Sequence, residues 1–79
     1  MSERVYTVQA DWDGEAEVWI AASADVPGLC CEAATFEELV EVVVGLVPEL
    51  LAANGAAPPE TEVTVNVKAE RRASARLVA

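Results

Sequence analysis

From Val5 to Trp12 the chain alternates, with Tyr6, Val8, Ala10 and Trp12 on one face and Thr7, Gln9 and Asp11 on the other. A period of two predicts a half-buried strand. Asp13-Gly14 follows, a pair that accepts the positive backbone angles of a tight hairpin. The second strand is predicted over about Glu17 to Ser23. One register turns Val18, Ile20 and Ala22 inward, opposite Ala10, Val8 and Tyr6, and leaves a three-residue loop at Asp13 to Glu15. A strict two-residue turn sets Trp19 opposite Val8 instead, and the sequence leaves the choice open. In the first register Trp19 stands on the outer face beside Thr7 and Gln9. It is then either a contact residue for a partner or a surface covered by the chain's own tail.

Asp25-Val26-Pro27-Gly28 is turn chemistry, because proline presets its backbone angle and glycine relieves the next one. Leu29 to Ala33 reads as a short third strand. Thr35 opens a helix: its hydroxyl is placed to accept from the amide of Glu38, and Glu38 to reach back, a capping box worth ~1 kcal/mol. Glu37 and Glu38 also suit the positive end of the helix dipole. The helix is predicted to run to about Asn54, where Asn54-Gly55 ends it. At 100° per residue, Phe36, Leu39, Val40, Val43, Val44, Leu46, Val47, Leu50 and Leu51 form one stripe, and Pro48 falls on the solvent side. Counting Val42 and Ala53, the stripe spans roughly 200°, wider than one small sheet covers. The surplus predicts a dimer or a partner interface.

Ala56 to Glu60, with Pro58-Pro59, reads as a stiff linker. Thr61 to Glu70 alternates cleanly, with Val63, Val65, Val67 and Ala69 on one face, and is the last strand. The predicted fold is α+β in the order β-β-β-α-β. It is an antiparallel three-strand meander, one long helix crossing one face, and a last strand parallel to the first. One domain fills residues 1–79: meander and helix over 5–54, last strand over 61–70 and a basic tail over 71–79.

Composition narrows the chemistry. A chain of 79 residues buries only roughly 60% of the surface its unfolded form exposes, so staples or self-association are expected to supplement the core. Staples are not in prospect: Cys30 and Cys31 are adjacent, and on a strand their thiols point to opposite faces. Two free thiols are expected, one buried and one near an edge. A homodimer or higher homo-oligomer follows as the expectation. The net charge of −9 repels phosphate backbones and favours a basic protein partner, so direct DNA binding is not expected. Arg71, Arg72 and Arg76 are a local exception in the tail. Met1 to Arg4 run straight into the first strand without a secretory signal, and no apolar run reaches the roughly 20 residues of a membrane span. With free thiols, this points to the cytoplasm.

The chain has no histidine, no phosphate loop and no metal cluster, so no cofactor is expected. Asp11, Asp13, Glu15 and Glu17 gather at the first hairpin rather than on the inner face of the first strand, where Val8 and Ala10 stand. The reading is that the protein is not an enzyme.

Four motifs in order, Asp13-Gly14, Val18-Trp19-Ile20, Val26-Pro27-Gly28 and Thr35-Phe36-Glu37-Glu38-Leu39, resemble the HicB-like antitoxin domain. Trp12-Asp13 and Val47-Pro48-Glu49-Leu50-Leu51 are similar to a short branch of that group. The resemblance implies a truncated ribonuclease-H-like fold without catalytic residues. It also implies neutralisation, by occlusion, of a small basic ribonuclease toxin. Residues 71–79 are too few for the DNA-binding segment that such antitoxins carry. The contact residues expected for a toxin are Thr7, Gln9 and Trp19 on the outer sheet face, with Asp13, Glu15 and Glu17 of the acidic hairpin. The alternative is an orphan homo-oligomeric domain with no toxin, using the surplus helix face or the free edge of the last strand.

Overall fold

The computed structural model describes residues 5–55 and 62–78. The expected linker at Ala56 to Glu60 and the segment Met1 to Arg4 lie outside them. Four strands and one helix follow in the expected order: β1 (Val5–Asp13), β2 (Val18–Ala22), β3 (Cys30–Ala33), α1 (Phe36–Ala53) and β4 (Thr64–Glu70). The strands form one mixed sheet in the order β3-β2-β1-β4. β1 and β2, and β2 and β3, are antiparallel, while β4 lies parallel to β1. The long crossover through α1 is what permits that parallel pair.

The hairpin is where expectation and structure part. The ladder pairs Gln9 with Ala22, Ala10 with Ala21, Trp12 with Trp19 and Asp13 with Val18. Four residues, Gly14 to Glu17, therefore form the loop, and neither expected register occurs. The cause is local. The Asp13 carboxylate accepts from the amides of Glu15 (3.0 Å) and Ala16 (3.3 Å), closing a turn that a two-residue loop has no room for. The positive angle falls on Glu17 (φ 57°) rather than on Gly14. Relative to the three-residue-loop register, the pairing has slipped by an odd number of residues. An odd slip exchanges the faces of a strand. Val18, Ile20 and Ala22 accordingly point away from the helix, and Trp19 and Ala21 point toward it.

Packing explains why this register wins. Trp19 stands 5.6 Å, centroid to centroid, from both Trp12 and Phe36, edge-to-face in each case. The helix start is thereby tied to the hairpin through three aromatic rings. Tyr6, Val8, Ala10 and Ala21 from the sheet meet Leu39, Val43, Val47 and Leu51, four helix positions at every fourth residue, and all eight are buried. Val26 and Leu29 close the core from the β2–β3 connection. There Leu29 donates its amide to the Val26 carbonyl, Pro27 and Gly28 form the corner, and Gly28 takes φ +87°, an angle that favours glycine.

Where β2 ends, side chains continue its ladder. The Thr7 amide donates to Asp25 Oδ2 at 2.8 Å, and Ser23 Oγ donates to the Thr7 carbonyl at 2.6 Å. The helix starts and stops where expected, and the Thr35 half of the capping box is present. Thr35 Oγ1 accepts from the Glu38 amide at 3.1 Å, and Asn54 is followed by Gly55 at φ +71°. Pro48 is exposed within the helix. As expected of a stripe wider than one small sheet covers, Val44 is left 54% exposed and Val42 38%. No described helix is long and apolar enough to cross a membrane.

Gly45 is exposed in the middle of α1, and a methyl group there meets nothing within 4 Å. Gly45→Ala is expected to stabilise the fold by about 0.5–1 kcal/mol, through helix propensity alone. A thermal melt should show the midpoint rising by several degrees.

Candidate binding surface

A strand sends alternate side chains to opposite faces, and α1 packs on only one of them. Among the described residues nothing covers the other. Register fixes what stands there. One row crosses all four strands: Glu32 on β3, Ile20 on β2, Asp11 on β1 and Glu70 on β4. The next row toward the hairpin pairs Val18 with Asp13, and the row on the far side runs Cys30, Ala22, Gln9 and Lys68. Val18 and Ile20 are half-buried. The surface is thus a small apolar centre with acids at both sheet edges and on the hairpin side, and Lys68 in the row on the far side.

Asp11 and Glu70 are direct cross-strand neighbours of like charge, and Lys68 follows in the adjacent row of β4. The hairpin loop adds exposed Glu15 and Glu17 to the acids on its side. Beside it, beyond the end of β4, an open depression of about 630 Å³ is lined by Asp11, Trp12, Gly14, Glu70, Arg71, Arg72 and Ala73. The Arg71 guanidinium lies 4.4 Å above the Trp12 ring there, a cation–π contact. A shallower depression of about 300 Å³ runs between Thr7, Gln9, Ala22, Ser23, Ala24 and Asp25.

Of the six residues expected at a contact surface, Thr7 and Gln9 are on the outer face and half-buried, and Asp13, Glu15 and Glu17 are at the hairpin beside it. Trp19 is not on this surface; it is on the helix side, enclosed by Trp12 and Phe36. The sequence reading missed Val18, Ile20, Glu32 and Glu70 as members of the face. Val18 and Ile20 were missed because their face depends on the β1–β2 register, whereas the alternation of the last strand already sets Glu70 opposite its apolar face.

The cysteines divide as strand geometry requires, with Cys30 exposed and Cys31 half-buried on the helix side. Burial, and then the neighbouring Cys30, push the Cys31 thiol above its ordinary value, which disfavours the nucleophilic thiolate. Among the described residues, no group of three or more His, Cys, Asp or Glu side chains is placed to hold a metal ion.

Comparison with known proteins bears on the fold and the family. No curated protein matches the chain. A solved structure, the hypothetical protein TTHA1013 from the extremely thermophilic bacterium Thermus thermophilus, is similar at 49% sequence identity. The match covers 94% of this chain and 100% of that one, with a TM-score of 0.70. The domain of unknown function DUF1902 matches residues 5–79, nearly the whole length, and the chain belongs to that family.

Proposed function

We propose that this protein is a non-catalytic binding module that occludes a small basic protein, in the manner of a HicB-type antitoxin and its ribonuclease toxin. The observation that carries the reading is the uncovered sheet face, with Val18 and Ile20 framed by Asp11, Asp13, Glu32 and Glu70. A net charge of −9 steers a basic partner toward such a surface, and the two apolar side chains hold it once water is displaced. The cross-strand Asp11–Glu70 pair adds to the negative charge of this face. In this reading the sheet and helix are a truncated ribonuclease-H-like scaffold that presents a surface rather than an active site.

The test is affinity capture from the source organism at low and moderate salt, read by mass spectrometry. The bait is the wild-type chain, compared with a triple variant carrying Glu15→Lys, Glu17→Lys and Glu32→Lys, which leaves the Asp13 turn intact. The expected result is a small basic protein that moderate salt releases and that the triple variant holds at least about tenfold more weakly. The captured protein should cleave RNA alone and be silenced by the wild-type chain. A partner held equally well by the triple variant at all salt concentrations would overturn the assigned surface.

A further inference from the structure

The second surface is the edge of β4, which borders the face assigned above and shares Glu70 with it. In the strand order β3-β2-β1-β4, β4 is terminal, and among the described residues no strand pairs with its far side. An edge strand rich in β-branched residues and free of proline is a template for another strand, and β4 reads Thr-Val-Asn-Val-Lys-Ala-Glu. Residues 71–78 continue from it without helix or turn, and every one of them is exposed. Leu77 is 97% exposed and Val78 80%. The radius of gyration is 15.2 Å and the longest dimension 58 Å, whereas a compact chain of this length has a radius of about 12 Å. The arm is also charged oppositely to the body. Residues 71–79 hold three arginines and no acid, while the other 70 residues hold all fourteen acids against two basic residues.

We infer that the protein forms a twofold dimer in which β4 and its arm pair antiparallel with β4 and the arm of a second copy. The charge pattern selects the register. Opposed residues of an antiparallel pair lie on the same face. With Ala69 on the twofold axis, Lys68 of each copy faces Glu70 of the other, and Glu62 of each faces Arg76 of the other. Four opposite-charge pairs form and no like pair does. Centring on Lys68 sets lysine against lysine. Centring on Glu70 sets glutamate against glutamate and Lys68 against Arg72. Centring on Val67 leaves Lys68 opposite Asn66 and retains only the Glu62–Arg72 pairs. In the Ala69 register the small side chains Ala73 and Ala75 lie opposite Val65 and Val63, which are only half-buried by α1 within one copy. Leu77 then falls on the helix side of the sheet.

The test uses the full chain and begins with its mass in solution, by light scattering and sedimentation at micromolar concentration. A dimer is expected. Lys68→Glu should raise the dissociation constant about tenfold, because each of two symmetric attractions becomes a repulsion. Lys68→Glu with Glu70→Lys should restore it, a rescue that a merely structural role for Lys68 does not predict. In a background of Cys30→Ser and Cys31→Ser, Ala69→Cys should give a disulfide-linked dimer under mild oxidation. Asn66→Cys should not, since its nearest copy lies about 20 Å away in this register. A wild-type chain that stays monomeric at about 100 micromolar, or a dimer that Ala69→Cys fails to link, would overturn the inference.

Discussion

Trp19→Ala is expected to cost about 2–3 kcal/mol of stability, a large share of what a chain of 79 residues has to lose. Truncating a fully buried tryptophan costs about 3–5 kcal/mol, and the figure is lower here because Trp19 is half-buried. It includes the loss of two edge-to-face contacts at 5.6 Å, to Trp12 on β1 and to Phe36 in the first turn of α1. Removing the middle ring of three releases both neighbours, so the hairpin and the helix start loosen together. Urea unfolding should show the midpoint falling with little change in slope, and the melting temperature should drop by roughly 10–20 °C. Trp19→Phe should retain most of the stability, since a ring still fills the gap between the other two. A Trp19→Ala variant within about 0.5 kcal/mol of wild type would instead mark a solvent-facing residue and contradict this packing.

That residue also shows where the sequence stops being informative. β1, α1 and β4 are legible because each buries one face and exposes the other, so a single period decides both the element and its orientation. The Thr35 cap and the Gly55 stop are legible because they depend on atoms within four residues of each other. β2 reads Val-Trp-Ile-Ala-Ala and is apolar on both faces, so its pattern does not say which face is inner. The decision is made elsewhere, by the Asp13 carboxylate and the amides of Glu15 and Ala16. A turn of that kind lengthens the loop by side-chain chemistry that Asp13-Gly14 does not announce. The expected contact surface inherits the error: the acidic hairpin and Thr7 and Gln9 keep their places, while Trp19 and Ile20 exchange faces. The surplus width of the helix stripe holds only in part. Val42 and Val44 are exposed, but Val40, Leu46 and Leu50 are half-buried along the edges of the core.

Ile20→Arg is expected to weaken binding of a basic partner by about 30-fold, while leaving the fold as stable as wild type. Ile20 is the one apolar residue in a row whose other members are Glu32, Asp11 and Glu70. Its side chain points away from α1, so no core contact is lost, and an arginine in that position is flanked by three carboxylates. Stability should therefore hold or rise slightly. For a cationic partner the change acts twice. It removes the central apolar contact, and it places a positive charge where the partner's own charge must dock, together on the order of 2 kcal/mol. Titration calorimetry with the purified partner should show a gap between wild type and variant that narrows with added salt, as the new repulsion is screened, but does not close, because the apolar contribution is gone. Val44→Arg supplies the control. Val44 is 54% exposed on α1, on the opposite side of the sheet, and the same chemical change there should leave the affinity unaltered. Equal losses at both positions would indicate a general charge effect. A loss at Val44 alone would move the binding surface from the open sheet face to the helix.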